Sequence, residues 1–141
     1  MSNRAIELHD STTERLLHES GKVTILLSPA YIHQSAGQPG IEPGSGWLQK
    51  AALIVQAGEI TGALPEFPTD ISHGHMILDG VKSENIIPIP FSFSGDFRLH
   101  LTFVSGDKVV INGSSATLVL HGEPEYLEEF PGTRGRSNRG I

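Results

Sequence analysis

Apolar residues recur at every second position in several stretches of the chain, and a period of two marks strands with one buried face. Val23, Ile25 and Leu27 alternate through residues 22–28 and on toward Tyr31, Ile87, Ile89, Phe91 and Phe93 through residues 85–93, and Phe97, Leu99, Leu101 and Phe103 beyond them. Trp47, Gln49, Ala51, Leu53 and Val55 alternate between Gly46 and Gly58, which predicts a strand over residues 47–57 despite their helix-compatible composition. Ile6-Glu7-Leu8 and Met76-Ile77-Leu78 read as short strands. One segment is punctuated as a helix instead. Ser11-Thr12-Thr13-Glu14 has capping-box spacing, and Gly21 stands where a glycine would end the helix. Leu16 and Leu17 are its only apolar grip, so tertiary contact must hold it.

Turn chemistry orders the later strands. Pro88 and Pro90 are two apart, so both missing N–H groups fall on one side of an extended strand, which predicts an edge strand or a bulge. Residues 97–121 read as a three-strand meander with turns at Ser105-Gly106-Asp107 and Asn112-Gly113. A type I′ turn at Asn112-Gly113 aligns Val109 and Ile111 with Ala116, Leu118 and Leu120. An odd-length first turn then pairs Phe103 with Val109 and Leu101 with Ile111. The other face, with Arg98, His100, Thr102 and His121, is mixed and reads as a solvent or partner face. The expected fold is mainly β: an antiparallel sandwich or partly open barrel with one short N-terminal helix. Residues 1–130 form the single domain and residues 131–141 a flexible basic tail.

Composition sharpens this in three ways. The 16 glycines and 9 prolines in 141 residues suit many turns between short elements. With no cysteine, disulfides, thiol nucleophiles and thiolate metal sites are excluded. The net charge of -6 hides an asymmetry: three of the ten basic residues, Arg134, Arg136 and Arg139, lie in the tail, leaving 7 basic against 16 acidic side chains before it. Such a body is a poor partner for a nucleic-acid backbone. No apolar run approaches the ~18 residues of a membrane span, and no leader-like segment opens the chain, so the expectation is a soluble, cytoplasmic protein without nucleic-acid or membrane partners.

Candidate chemistry is sparse. Residues 34–46 hold four glycines and two prolines, and a loop of that length in a compact domain is commonly functional or disordered. With its flanks it offers Tyr31, His33, Gln34, Ser35, Glu42, Trp47 and Gln49 as a ligand pocket or protein-binding patch, unless Tyr31 and Trp47 pack in the core. His73 and His75 point the same way in a strand and offer two imidazoles to a transition metal, the one cofactor the residues suggest, with Asp70, Asp79 or His33 as a distant third ligand. The meander places His100 and His121 roughly 26 Å apart, beyond sharing a small ligand. His9-Asp10-Ser11 contains the residue types of a hydrolase triad, but sequence neighbours do not form that relay, and Asp10 and Ser11 are read as helix caps. Gly44-Ser45-Gly46 is neither a phosphate loop nor a nucleophile elbow.

Four pieces, Glu7-Leu8-His9-Asp10-Ser11, Pro29-Ala30-Tyr31-Ile32-His33, Gly46-Trp47-Leu48-Gln49 and Gly122-Glu123-Pro124-Glu125-Tyr126, together resemble small uncharacterised bacterial β-rich proteins over most of residues 6–130. The resemblance implies a compact bacterial domain and carries no reaction or catalytic residue. The expected function is a non-enzymatic binding or interaction module using residues 31–49 to take a protein partner or small ligand, with a homodimer as one assembly. The alternatives are a metal-binding protein or metal-dependent hydrolase at His73 and His75, and an immunity-type protein masking a toxin with its acidic surface.

Overall fold

Period-two patterning becomes strand nearly everywhere in the computed structural model, which describes residues 3–130. The strands are β1 (Asn3–Glu7), β2 (Thr12–Glu19), β3 (Lys22–Ser35), β4 (Gly44–Gln56), β5 (Glu59–Gly62), β6 (Thr69–Leu78), β7 (Val81–Glu84), β8 (Ile86–Ile89), β9 (Ser92–Phe103) and β10 (Lys108–Phe130). All pairings between them are antiparallel. The basic tail expected at residues 131–141 lies outside the described residues.

The expected N-terminal helix is not formed. Thr12–Glu19 is β2, preceded by a single 3-10 turn at Leu8–Asp10. Ser11 does not cap that segment: its hydroxyl donates to the Glu7 carbonyl (2.8 Å) and accepts from the Tyr31 N–H (2.9 Å). Gly21 does take left-handed backbone, at φ 73°, but as half of a two-residue hairpin turn with Ser20 (φ 52°) that pairs Glu19 with Lys22. The sequence signal for a left-handed residue is met by a different element.

Six strands close into a ring in the order β2, β6, β9, β10, β4, β3 and back to β2. Its interior is the apolar core: Val23, Ile25, Leu27, Leu53, Val55, Met76, Leu99, Leu101 and Ile111, with Phe97 and Phe103 the largest fully buried side chains. Each such side chain contributes roughly 1.5–3 kcal/mol by leaving water. The Asn112-Gly113 turn is absent, because β10 runs straight through it, pairing there with β9 and β5 and from Ser115 onward with β4. The β9–β10 hairpin keeps the expected apolar faces together but sits two residues away from the expected register, with Leu101 opposite Val109 and Leu99 opposite Ile111.

A bulge in β3 builds the rest. Pairing with β4 shifts between Leu27 and Ala30, so the core-facing set changes from Val23, Ile25 and Leu27 to Ala30 and Ile32. The second half of β3 therefore turns Tyr31, His33 and Ser35 to the outer face. There β1 pairs with β3, and β8 pairs with β1 as the terminal strand of the sheet. The edge position expected of residues 85–93 holds for β8 and its Pro88, but Pro90 lies beyond that strand, and the expected single strand is broken before Ser92 opens β9.

Candidate functional site

The connection between β3 and β4 is eight residues, 36–43, not thirteen, because Gln34 and Ser35 complete β3 and Gly44 to Gly46 open β4. It folds over the outer face and is tied there by buried His33 and Ser35 and by exposed Asn3. The Gly40 N–H donates to His33 Nδ1. Ser35 Oγ donates to the Pro43 carbonyl (2.8 Å) and accepts from the Gly37 N–H (3.0 Å), and Asn3 Nδ2 donates to the Gly37 carbonyl (2.8 Å). The Ile41 and Glu42 N–H groups both donate to the Gln38 carbonyl, closing a tight turn. Gly46 leaves room for the Tyr31 ring, since a Cβ there would lie 2.2 Å from the phenol oxygen.

The residues anticipated as one site occupy both faces of the sheet. Tyr31 and His33 are buried on the outer face, His33 against the loop, and Glu7, which pairs with Tyr31 across β1 and β3, is buried too. Gln34, Trp47 and Gln49 point to the opposite face. Trp47 lies level with Ile32, meets Tyr126 edge to face at 5.3 Å and donates from Nε1 to Ser45 Oγ (2.8 Å). Gln49 donates to the Gly122 carbonyl (2.7 Å). Glu42 stands exposed on the loop. Strand alternation separates positions 31 and 33 from 34, so the split follows from the same period that predicted the strands.

The loop instead forms one wall of a cleft of about 710 Å³, completed by Asn3 to Ala5 of β1, by Ser83 to Asn85, and by Ile86, Pro88 and Ile89 of β8. Pro39, Ile41, Ile86 and Pro88 give it apolar walls, and Arg4, Gln38, Glu84 and Asn85 a polar rim. Ile41 is 52% exposed although large and apolar. Residues 38–41 fall within the expected 31–49 region but were not named as site residues, because none carries recognisable chemistry. The proline-marked edge strand was the signal that could have found the opposite wall.

A polar cluster shares Asn85 with this cleft. Asn85 takes left-handed backbone (φ 61°), accepts from the His9 N–H through Oδ1 (2.8 Å) and places Nδ2 2.6 Å from His9 Nδ1. His9 Nε2 lies 3.1 Å from Asp10 Oδ2, and Nδ1 lies 3.7 Å from Glu7 Oε1. The hydrogen bond to Asp10 raises the His9 pKa above the ordinary histidine value, with partial burial opposing it. His9 and Asp10 thus meet, contrary to the reading of Asp10 as a cap, while the Ser11 hydroxyl is engaged with the Glu7 carbonyl and the Tyr31 N–H.

His73 and His75 share the outer face of β6. His75 stacks on His100 with ring centroids 4.5 Å apart and planes 13° from parallel, and pairs across β7 with Glu84. Burial lowers the His75 pKa, with the neighbouring His100 and Lys82 adding to the effect and Glu84 opposing it. Among the described residues, the His/Cys/Asp/Glu cluster whose ligand atoms all lie within 4.8 Å of one another is Glu7, His9 and Asp10. No described helix is long and apolar enough to cross a membrane. No family model, curated protein or solved structure matches the chain.

Proposed function

We propose that the protein is a non-enzymatic binding module, built on what we read as a partly open barrel, and that it seats a small amphipathic molecule in the cleft beside residues 38–41. The observation that carries this reading is the bracing of the loop. A connection that adds little to the apolar core is tied down by His33, Ser35 and Asn3, and its turn forms a wall of a cleft within the roughly 300–1,000 Å³ usual for ligand sites. A wall fixed before binding avoids the ordering cost that a mobile loop would add. The absence of cysteine agrees with a reducing, cytoplasmic setting.

The test is amide NMR of the full chain titrated with a set of amphipathic fragments. Shift changes should concentrate at residues 3–5, 38–41 and 83–89, and Ile41→Asp should weaken the best fragment about tenfold, the equivalent of ~1.4 kcal/mol. Perturbations centred instead on Trp47 and Tyr126, or none at millimolar fragment, would contradict it.

A further inference from the structure

We propose that the outer edge of β10 beyond Leu118 takes up an extended, basic segment of another polypeptide as an added strand. β10 outruns its neighbour: Thr117, opposite Ser92, is its last residue paired with β9, and the Leu118 N–H donates to the Phe91 carbonyl (3.0 Å). From Val119 onward, among the described residues, it pairs with β4 alone. Its backbone groups on the side away from β4 therefore form a sheet edge, a template for a further strand. This edge lies across β4, β3 and β1 from β8 and the cleft, so it is a separate surface. Pro124 sits in the register shift between His121 and Glu125 and blunts that stretch, which leaves residues 125–129 as the run that can pair.

Charge and exposure decide what fits. No lysine or arginine stands between Lys108 and Phe130, whereas Glu123, Glu125, Glu128 and Glu129 all fall there. Leu48 and Trp47 point to opposite faces of β4, and their β10 partners do likewise. Glu125 stands on one face and Tyr126 on the other, where the Tyr126 hydroxyl donates to Glu129 (2.9 Å). An added strand thus meets a carboxylate on each face, at the ~5 Å spacing at which cross-strand side chains interact. Tyr126 and Leu127 are 54% and 48% exposed, adjacent large apolar side chains that a strand beside them would cover. A second copy docked edge to edge sets carboxylate against carboxylate, which destabilises a pair, so the acids that guard this edge against self-association select a basic partner. Arginine suits it better than lysine, since a planar guanidinium both forks onto a carboxylate and lies over a phenol ring.

The test titrates the ¹⁵N-labelled full chain with a synthetic decapeptide of alternating arginine and valine. Amide shifts are expected at residues 119–129, with slowed hydrogen exchange along that edge, and affinity should fall about tenfold or more between 50 and 300 mM salt. Glu125→Lys/Glu129→Lys, changed at exposed positions, should weaken binding about tenfold or more while the fold stays intact. The same peptide with every backbone nitrogen methylated keeps its charge but loses the N–H groups that a ladder needs, and should bind at least about tenfold more weakly. Equal binding of the methylated peptide would reduce the effect to charge attraction and overturn strand addition. Shifts centred elsewhere, or a glutamate–valine peptide that binds as well, would do the same. An edge already protected in the peptide-free chain would overturn the assignment to another polypeptide, whether a concentration-dependent dimer protects it or whether Arg134→Glu/Arg136→Glu/Arg139→Glu releases it.

Discussion

Phe97 inside the ring and His33 beneath the loop are equally inaccessible, at 0% exposure each, yet they are buried by opposite means. Phe97 sits among Leu99, Met76 and Phe91, where attraction is non-directional and any well-shaped apolar neighbour serves. His33 is held by a directional bond instead, its ring accepting from the Gly40 N–H. The first kind of burial supplies stability, whereas the second fixes where a piece of chain must lie. On this molecule the second kind is concentrated where the cleft wall is built.

Truncating the ring should break both regions together. Phe97→Ala removes one of the largest fully buried side chains and should cost about 3–5 kcal/mol in urea unfolding, taking the loop-covered face with it. If fragment binding survived in a chain whose ring transition had vanished, the two regions would be separate folding units. Gly46→Ala should strike the outer face first. Its new Cβ would collide with the Tyr31 phenol, costing about 1–3 kcal/mol, and the damage should appear in amide exchange of residues 31–46 before it appears in β9. Equal loss of protection in β9 would mean that the faces are coupled more tightly than their chemistry implies.

Ser35→Ala is a gentler separation of the two kinds of burial. It deletes both the bond to the Pro43 carbonyl and the one from the Gly37 N–H, for about 1–2 kcal/mol in total. Hydrogen exchange at Gly37 to Glu42 should accelerate strongly while the ring amides stay protected, and fragment affinity at the cleft should fall with the loop's order. Unchanged affinity alongside a loosened loop would remove the reason to regard bracing as functional.

How much of this was legible beforehand follows the same division. The ring was readable because non-directional burial leaves a periodic trace: Val23, Ile25 and Leu27, and Phe97 to Phe103, face the core as their alternation requires. Local signals misled wherever long-range pairing overrode them. Asn112-Gly113 has hairpin chemistry, but Gly113 is needed because a Cβ would lie 2.2 Å from Val55 Cγ1 where β10 begins to cross toward β4. Ser11 and Glu14 have capping spacing, yet the Ser11 hydroxyl is claimed by Glu7 and Tyr31, and β3 claims the backbone that follows. The site was harder still. The β3 bulge that turns Tyr31 and His33 outward is set beside Ser28-Pro29, and nothing local says that Glu7 and Asn85 will meet His9 from elements 78 residues apart in sequence. The sequence spacing brought His73 and His75 to one face, but not the stacking partner His100, which arrives from β9.

The smallest effect probes the polar cluster through pH. His9 has its pKa raised in the folded protein, chiefly by Asp10, so protons bind the folded chain more tightly than the unfolded one. The stabilisation is therefore complete below the ordinary histidine value near 6.5, and it is lost as pH rises through the higher folded value. Asp10→Asn should narrow the stability difference between pH 5.5 and pH 8.5, with wild type and variant farthest apart at the acidic end and converging at the alkaline end. Both groups are about a third exposed, so solvent screening keeps the acidic-end difference to about 1 kcal/mol or less. Urea unfolding at the two pH values gives the answer directly. A gap of the same size at both would mean that Asp10 acts as a neutral hydrogen-bond partner in the turn and not as the counter-charge of His9.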